Sequence, residues 1–191
     1  GNLGYTDSGS EYTNISLEKA GVGSLTLSGS NTFTGNTTVT AGSLSVTGAG
    51  ALKTGYAGNI ALSSGTVFMY ASSVDQTLAG IIRGAGGITK SGSSTLTLTG
   101  ANTRTGDTNL AAGVLSLGSA TALSNNAGTI SFTGGNLQYS ASNTIDYSGL
   151  FSTAASQSYD IDTNGFDVTF ATALTSASGT LTKAGLGTLT L

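Results

Sequence analysis

The chain of 191 residues contains no proline, cysteine, histidine or tryptophan, and only 8% of it is charged. Without cysteine there is no disulfide framework. Such a chain can cross an oxidising periplasm unfolded, although many cytosolic proteins lack cysteine too. Without histidine, and with nine acidic residues, the choice of a general base is narrow. The six cations Lys19, Lys53, Arg83, Lys90, Arg104 and Lys183 are scattered and the net charge is −3. That excludes nucleic acid as a partner, because phosphate binding needs clustered positive charge. No apolar run approaches the length of a membrane-spanning helix, so no membrane insertion is expected of this segment. No signal peptide is evident, and a start at Gly1-Asn2-Leu3 reads as an excerpted or processed segment.

What the chain has is 30 glycines and a polarity supplied by Ser, Thr and Asn instead of charge. With 38% hydrophobic residues it carries enough apolar surface for a packed core, which argues against a disordered linker. One motif occurs three times. It fills residues 17–46 (LEKAGVGSLTLSGSNTFTGNTTVTAGSLSV) and 88–117 (ITKSGSSTLTLTGANTRTGDTNLAAGVLSL), and a truncated copy fills 181–191 (LTKAGLGTLTL). Lys19, Lys90 and Lys183 align, as do Gly21, Gly92 and Gly185, and Leu25, Leu96 and Leu189. The two complete copies also match at Gly29 and Gly100, Asn31 and Asn102, Gly35 and Gly106, and Gly42 and Gly113.

The copies start 71 and 93 residues apart, and the 22-residue difference behaves like one inserted unit. Apolar and polar residues alternate in short runs such as Leu25-Thr26-Leu27 and Leu44-Ser45-Val46, broken by Gly and Asn. A weaker pair, Ile60-Ala61-Leu62 and Ile130-Ser131-Phe132, repeats at an offset of 70. No segment has helical periodicity. The expected fold is all-β with almost no α-helix: a right-handed, single-stranded parallel β-helix of roughly eight coils of about 23 residues, forming one domain over residues 1–191. Inward Leu, Ile, Val and Phe would stack about 4.8 Å apart between coils, with Thr and Ser outward and Gly at the corners. Both ends are expected to be uncapped, so neighbouring coils, or identical subunits stacked end to end, are the expected partners.

The run Leu-x-Lys-x-Gly-x-Gly-Thr-Leu-x-Leu-x-Gly-x-Asn-x-Tyr/Phe-x-Gly-x-Thr-x-Val closely resembles the autotransporter-associated β-strand repeat, also called the passenger-associated transport repeat. The resemblance is best at 17–46, then 88–117, then 181–191, about a third of the chain. Arg104 replaces the aromatic residue found at Phe33, and Ser94 replaces the second glycine. The resemblance implies a passenger of a type V secreted protein at the bacterial cell surface, with repeats that assist folding outside the cell. On this basis the expected role is a structural or adhesive stalk that is not an enzyme and carries no cofactor. The alternative is a subunit of an extracellular filament.

Asp75 and Arg83 share a segment but form no catalytic constellation. Asp160, Asp162, Asn164 and, in a different geometry, Asp167 are weak calcium candidates; the acid expected to close such a loop falls on Ala171. The plainer expectation is a strand with outward Asp running into an Asn-Gly turn. The threonines of residues 95–99 and 188–190 recur too seldom for an ice-binding array and fit a hydrated sheet face. Asn31 and Asn102 are expected to cap corners, and Lys19, Lys90 and Lys183 to sit at strand starts, shielding the sheet or pairing with acids. Tyr5, Tyr12 and Tyr56 are candidates for stacking on host or matrix glycans.

Overall fold

The computed structural model describes residues 14–124 and 128–191. Their strands form three long parallel faces and a short fourth one. The first face holds Leu17–Lys19, Thr37–Val39, Ile60–Leu62 and Ile82–Gly84. The second holds Ser24–Leu27, Ser43–Gly48, Val67–Ser72, Gly87–Lys90, Thr108–Leu110 and Ile130–Phe132. The third holds Gln76–Leu78, Thr95–Leu98, Val114–Leu117, Asn136–Gln138, Ser158–Asp162 and Thr180–Ala184. Val168–Thr169 pairs with Leu189–Thr190. The chain is an all-β parallel solenoid of about eight turns. Among the described residues the helical content is the single 3-10 turn Ser148–Leu150.

The core follows from period 2 stacked coil on coil. On the second face the inward column runs Leu27, Val46, Tyr70, Lys90, Leu110, Phe132. On the third it runs Gln76, Leu96, Leu115, Leu137, Ile161, Lys183. Most of the apolar members are essentially inaccessible to solvent, and burying each such side chain stabilises the fold by about 1.5–3 kcal/mol. Lysines and a glutamine inside these columns are unexpected, because a buried charge needs compensating partners.

Coils vary from 19 residues (Ser24 to Ser43) to 24 (Ser43 to Val67), so the expected length of about 23 lies near the upper end of the range. The variation changes what the repeat spacing means. Lys19 heads a first-face column through Val39, Leu62 and Gly84, which is three coils in 65 residues; Lys90 lies six residues further on, at the second face. Leu96 and Lys183 share a third-face column four coils and 87 residues apart, and Leu96 is six residues beyond Lys90. Spacings of 71 and 93 residues are therefore whole coils plus one face. Each motif copy sits one face further around the solenoid than the copy before it.

Candidate functional site: the repeat corners

The residues shared by the motif copies meet at the corners, where one strand turns into the next face. Lys19 and Lys90 end their strands, and Lys183 is next to last in its own. All three occupy inward positions, contrary to the expectation of strand-start lysines over the sheet. Lys19 and Lys90 are buried, Lys90 completely, and Lys183 is exposed. Their ammonium hydrogen bonds go to main-chain carbonyls, not to acids. Lys19 Nζ donates to Ala20 O (3.0 Å), Gly21 O (2.6 Å) and, one coil on, Ala41 O (3.0 Å). Lys90 Nζ donates to Gly92 O (2.5 Å) and Ala112 O (3.3 Å). Lys183 Nζ donates to Gly185 O (2.8 Å) and Ala184 O (3.4 Å). Burial pulls the Lys90 pKa down to about 8, while nearby Asp75 draws it back up. The Tyr70 ring lies 5.9 Å from the ammonium and adds a cation–π contact.

Corner glycines permit coils to stack at this distance. Gly42 and Gly113 take left-handed backbone angles (φ 68° and 66°), and each lies directly over the motif corner of the coil before. A Cβ at Gly42 would collide with the carbonyls of residues 21–23. At Gly113 it would strike the Gly92 carbonyl and come within 2.7 Å of Lys90 Nζ. Gly21 and Gly185 also have positive φ, whereas Gly100 and Gly106 face the carbonyls of Gly80 and Gly86, which a Cβ would strike. Leu96 is fully buried on the third face, and Leu25 and Leu189 pack half-buried against the core.

Asn31 and Asn102 are buried corner caps that reach across coils. Asn31 Nδ2 donates to Gly29 O and Ala51 O, both at 2.8 Å, and Asn102 Nδ2 donates to Ala122 O at 2.8 Å. Asn102 Oδ1 also accepts the Ile82 N–H at 2.7 Å. Gly35 and Gly106 supply carbonyls to a second device. In the first copy Phe33 packs edge-on against Tyr56 (5.6 Å), whose hydroxyl donates to Gly35 O (2.6 Å) and contacts Thr37 Oγ1 (2.8 Å). In the second copy Arg104 stands in the Phe33 position, buried, and its guanidinium donates to Gly106 O, Asp107 O and Thr108 Oγ1. One arginine thus reaches the same carbonyl and hydroxyl that the first copy reaches with a tyrosine from the next coil. Tyr56 is consequently buried and unavailable to glycans, correcting that expectation; Tyr5 and Tyr12 lie outside the described residues.

A further set of corner groups carried no motif signal. Asn36, Asn59, Asp75, Asp107 and Asp167 each immediately precede a strand. Each side-chain oxygen accepts the N–H of a residue 20 to 23 positions further along: Asn59, Ile81, Thr95, Thr129 and Thr188, at 2.7–2.9 Å. An Asn or Asp one residue ahead of a strand is the sequence signal for these contacts. Asp146 does similar work, accepting N–H bonds from Ser148 and Ala171. Burial raises its pKa, but these bonds and the Ser148 hydroxyl outweigh that effect and leave it lowered.

The four calcium candidates are engaged separately. Asp160 accepts from Asn136 (3.0 Å), Asp162 from Gln138 and from its own turn at Asn164, and Asp167 from Thr188. Asn164 (φ 49°) and Gly165 (φ 90°) form the turn that ends the strand. Among the described residues no three acidic side chains come together as a metal cage requires. Asp75 contributes to a corner and Arg83 is exposed on the first face. No helix among the described residues is long and apolar enough to cross a membrane.

Stacked corners, buried columns and strand pairing between successive coils define the chain as a parallel β-solenoid repeat protein. Its segments at residues 17–46 and 88–117 match the passenger-associated transport repeat, so the chain carries two copies of that repeat. No curated protein and no solved structure matches it.

Proposed function

We propose that this chain is a stalk segment in the passenger of a type V secreted bacterial surface protein, contributing length and rigidity and not catalysis. The observation that carries the reading is that the two matched repeats lie within a continuous run of parallel coils. The engagement of the acids and amides that face outward at the corners, each holding a neighbouring coil's backbone, also supports a structural role. On this reading the protein acts outside the cell, and any adhesion resides in exposed side chains on the faces. The test is display: the chain is joined to a signal peptide and a translocator β-barrel, with residues 88–117 either intact or scrambled. Intact repeats are expected to place a protease-resistant rod on the cell surface, and scrambling to reduce surface yield severalfold. Equal yields from the two versions would overturn the folding role, and periplasmic retention of the intact version would overturn the passenger reading.

One observation favours a second reading, a filament built from end-to-end copies. Leu191 is largely exposed at a cavity of about 470 Å³ lined also by Tyr159, Phe170, Leu174 and Leu181, while Leu186 and Val22 are exposed in the third and first motif corners. Electron microscopy of the purified chain distinguishes the two, since monodisperse short particles exclude the filament.

A further inference from the structure

The three motif lysines form a natural series. Each stands at or next to the end of its strand and donates to the carbonyl two residues on, at Gly21, Gly92 or Gly185. Lys19 and Lys90 also bond across coils, to the carbonyl 22 residues on, at Ala41 and Ala112. Those two alanines occupy the same motif position, each just before a left-handed glycine, Gly42 or Gly113, that lets the next corner settle onto the lysine's own. An ammonium has three donors, and Lys19 places all three on carbonyls, two in its own corner and one in the next. A simple core filler at these positions would be apolar, because its neighbours in the column are Val39 for Lys19, and Tyr70 and Leu110 for Lys90. Charge is retained at a buried place where its hydrogen bonds go to main-chain carbonyls of two successive coils.

We propose that the motif lysine is a latch between coils: its ammonium closes only when the coil after the motif docks in register, so that each repeat copy locks the coil that follows it. Lys183 bonds within its own corner, to Ala184 O and Gly185 O, and so serves as the comparison without a bond between coils. The alanine of the next coil supplies a carbonyl and not a side chain, so the latch reads the position of the backbone and tolerates variation around it. Register is the quantity at stake, because a slip of one residue would move the carbonyl away and turn every side chain to the opposite face.

The test replaces each lysine by methionine in the full chain, which keeps the buried stem and its volume but removes the donors. Amide hydrogen exchange is followed in the coil after each motif: at Thr40 and Ser43 for Lys19→Met, and at Ala111, Ala112 and Val114 for Lys90→Met. These amides bond back to the motif corner, to Lys19 O, Gly23 O, Lys90 O and Ser94 O. Exchange there is expected to quicken about tenfold or more in both variants, while Lys183→Met changes exchange in its own coil by less than twofold. Should Lys90→Met unfold the chain, Lys19→Met at the first described coil carries the test through local opening alone. Exchange within twofold of the parent at all five amides, or an equal loss of protection around Lys183, would overturn the latch.

Discussion

The coils around the second motif copy and the coils that follow it solve the same stacking problem by different means. Between Ile60 and Leu117 the interior is largely aliphatic, with Lys90 and Arg104 buried in it and held by carbonyls and a hydroxyl. From Phe132 to Phe170 the interior is aromatic: Phe132 meets Phe151 at 4.9 Å and Tyr159 at 5.5 Å, and Phe151 meets Phe170 at 5.3 Å, all edge-on. The corners differ accordingly. The motif corners are tight and glycine-bound, while the aromatic coils carry the 3-10 turn at Ser148–Leu150 and an antiparallel bridge between Ser140 and Asn143. Large rings fill space whose backbone outline is irregular, whereas directed bonds to carbonyls need a corner of fixed shape. In the motif coils, then, geometry is set by backbone contacts, and in the later coils by side-chain volume.

The largest test of that contrast is Phe132→Ala. Removing the ring that touches both Phe151 and Tyr159 is expected to cost about 3–5 kcal/mol, read as a lowered urea midpoint. Protection from hydrogen exchange should fall over residues 130–170 and hold near the motif corners. A loss confined to Ile130–Phe132 would break the idea of a shared aromatic core.

A smaller effect is expected in the motif coils from Gly113→Ala set against Gly48→Ala. Both glycines have positive φ, but a Cβ at Gly48 meets nothing while one at Gly113 meets two carbonyls and the Lys90 ammonium. Backbone strain alone costs about 1–2 kcal/mol at either site, and collision should add about 1–3 kcal/mol at Gly113. Equal losses in thermal melts would show that corner stacking is looser than the carbonyl contacts indicate.

The smallest expected effect is a pH dependence. Lys90 titrates near 8 in the folded chain against an ordinary 10.5, because desolvation of the latched ammonium outweighs what Asp75 returns. As pH rises above about 8, the folded state releases this proton before the unfolded state does, and stability should climb. The gain ends near pH 10, where burial holds the Tyr56, Tyr70, Tyr139 and Tyr147 hydroxyls protonated in the folded chain while the unfolded chain ionises. The groups that act on the ammonium are Asp75 and the Tyr70 ring. Melting temperatures from pH 7 to 10 should rise in the parent and stay flat in Lys90→Met; a parallel rise in both would assign the effect to other groups.

Alternation in Leu25-Thr26-Leu27 and Thr95-Leu96-Thr97-Leu98 is enough to assign strands, inward columns and coil number, because period 2 and stacking leave few options. The lysines misled for a physical reason. A Lys two residues before a corner Gly looks solvated, and the carbonyl 22 residues on that helps hold Lys19 and Lys90 inward becomes a neighbour only after the chain has coiled. The face-by-face advance of the motif was hidden in the same way. Spacings of 71 and 93 residues divide neatly by a mean coil, and only the individual coils of 19 to 24 residues reveal the six left over. The Asn and Asp ladder was legible in principle, since Asn36, Asn59, Asp75, Asp107 and Asp167 all stand one residue before a strand.

That six-residue remainder makes the repeat a spiral stair around the rod. With coils about 4.8 Å apart, successive copies climb roughly 16 and 21 Å while turning through one face. Anything carried at a fixed motif position, whether a bound sugar, an antibody or an inserted loop, would be presented in a different direction at each step, and a long stalk of such repeats would have no blind side.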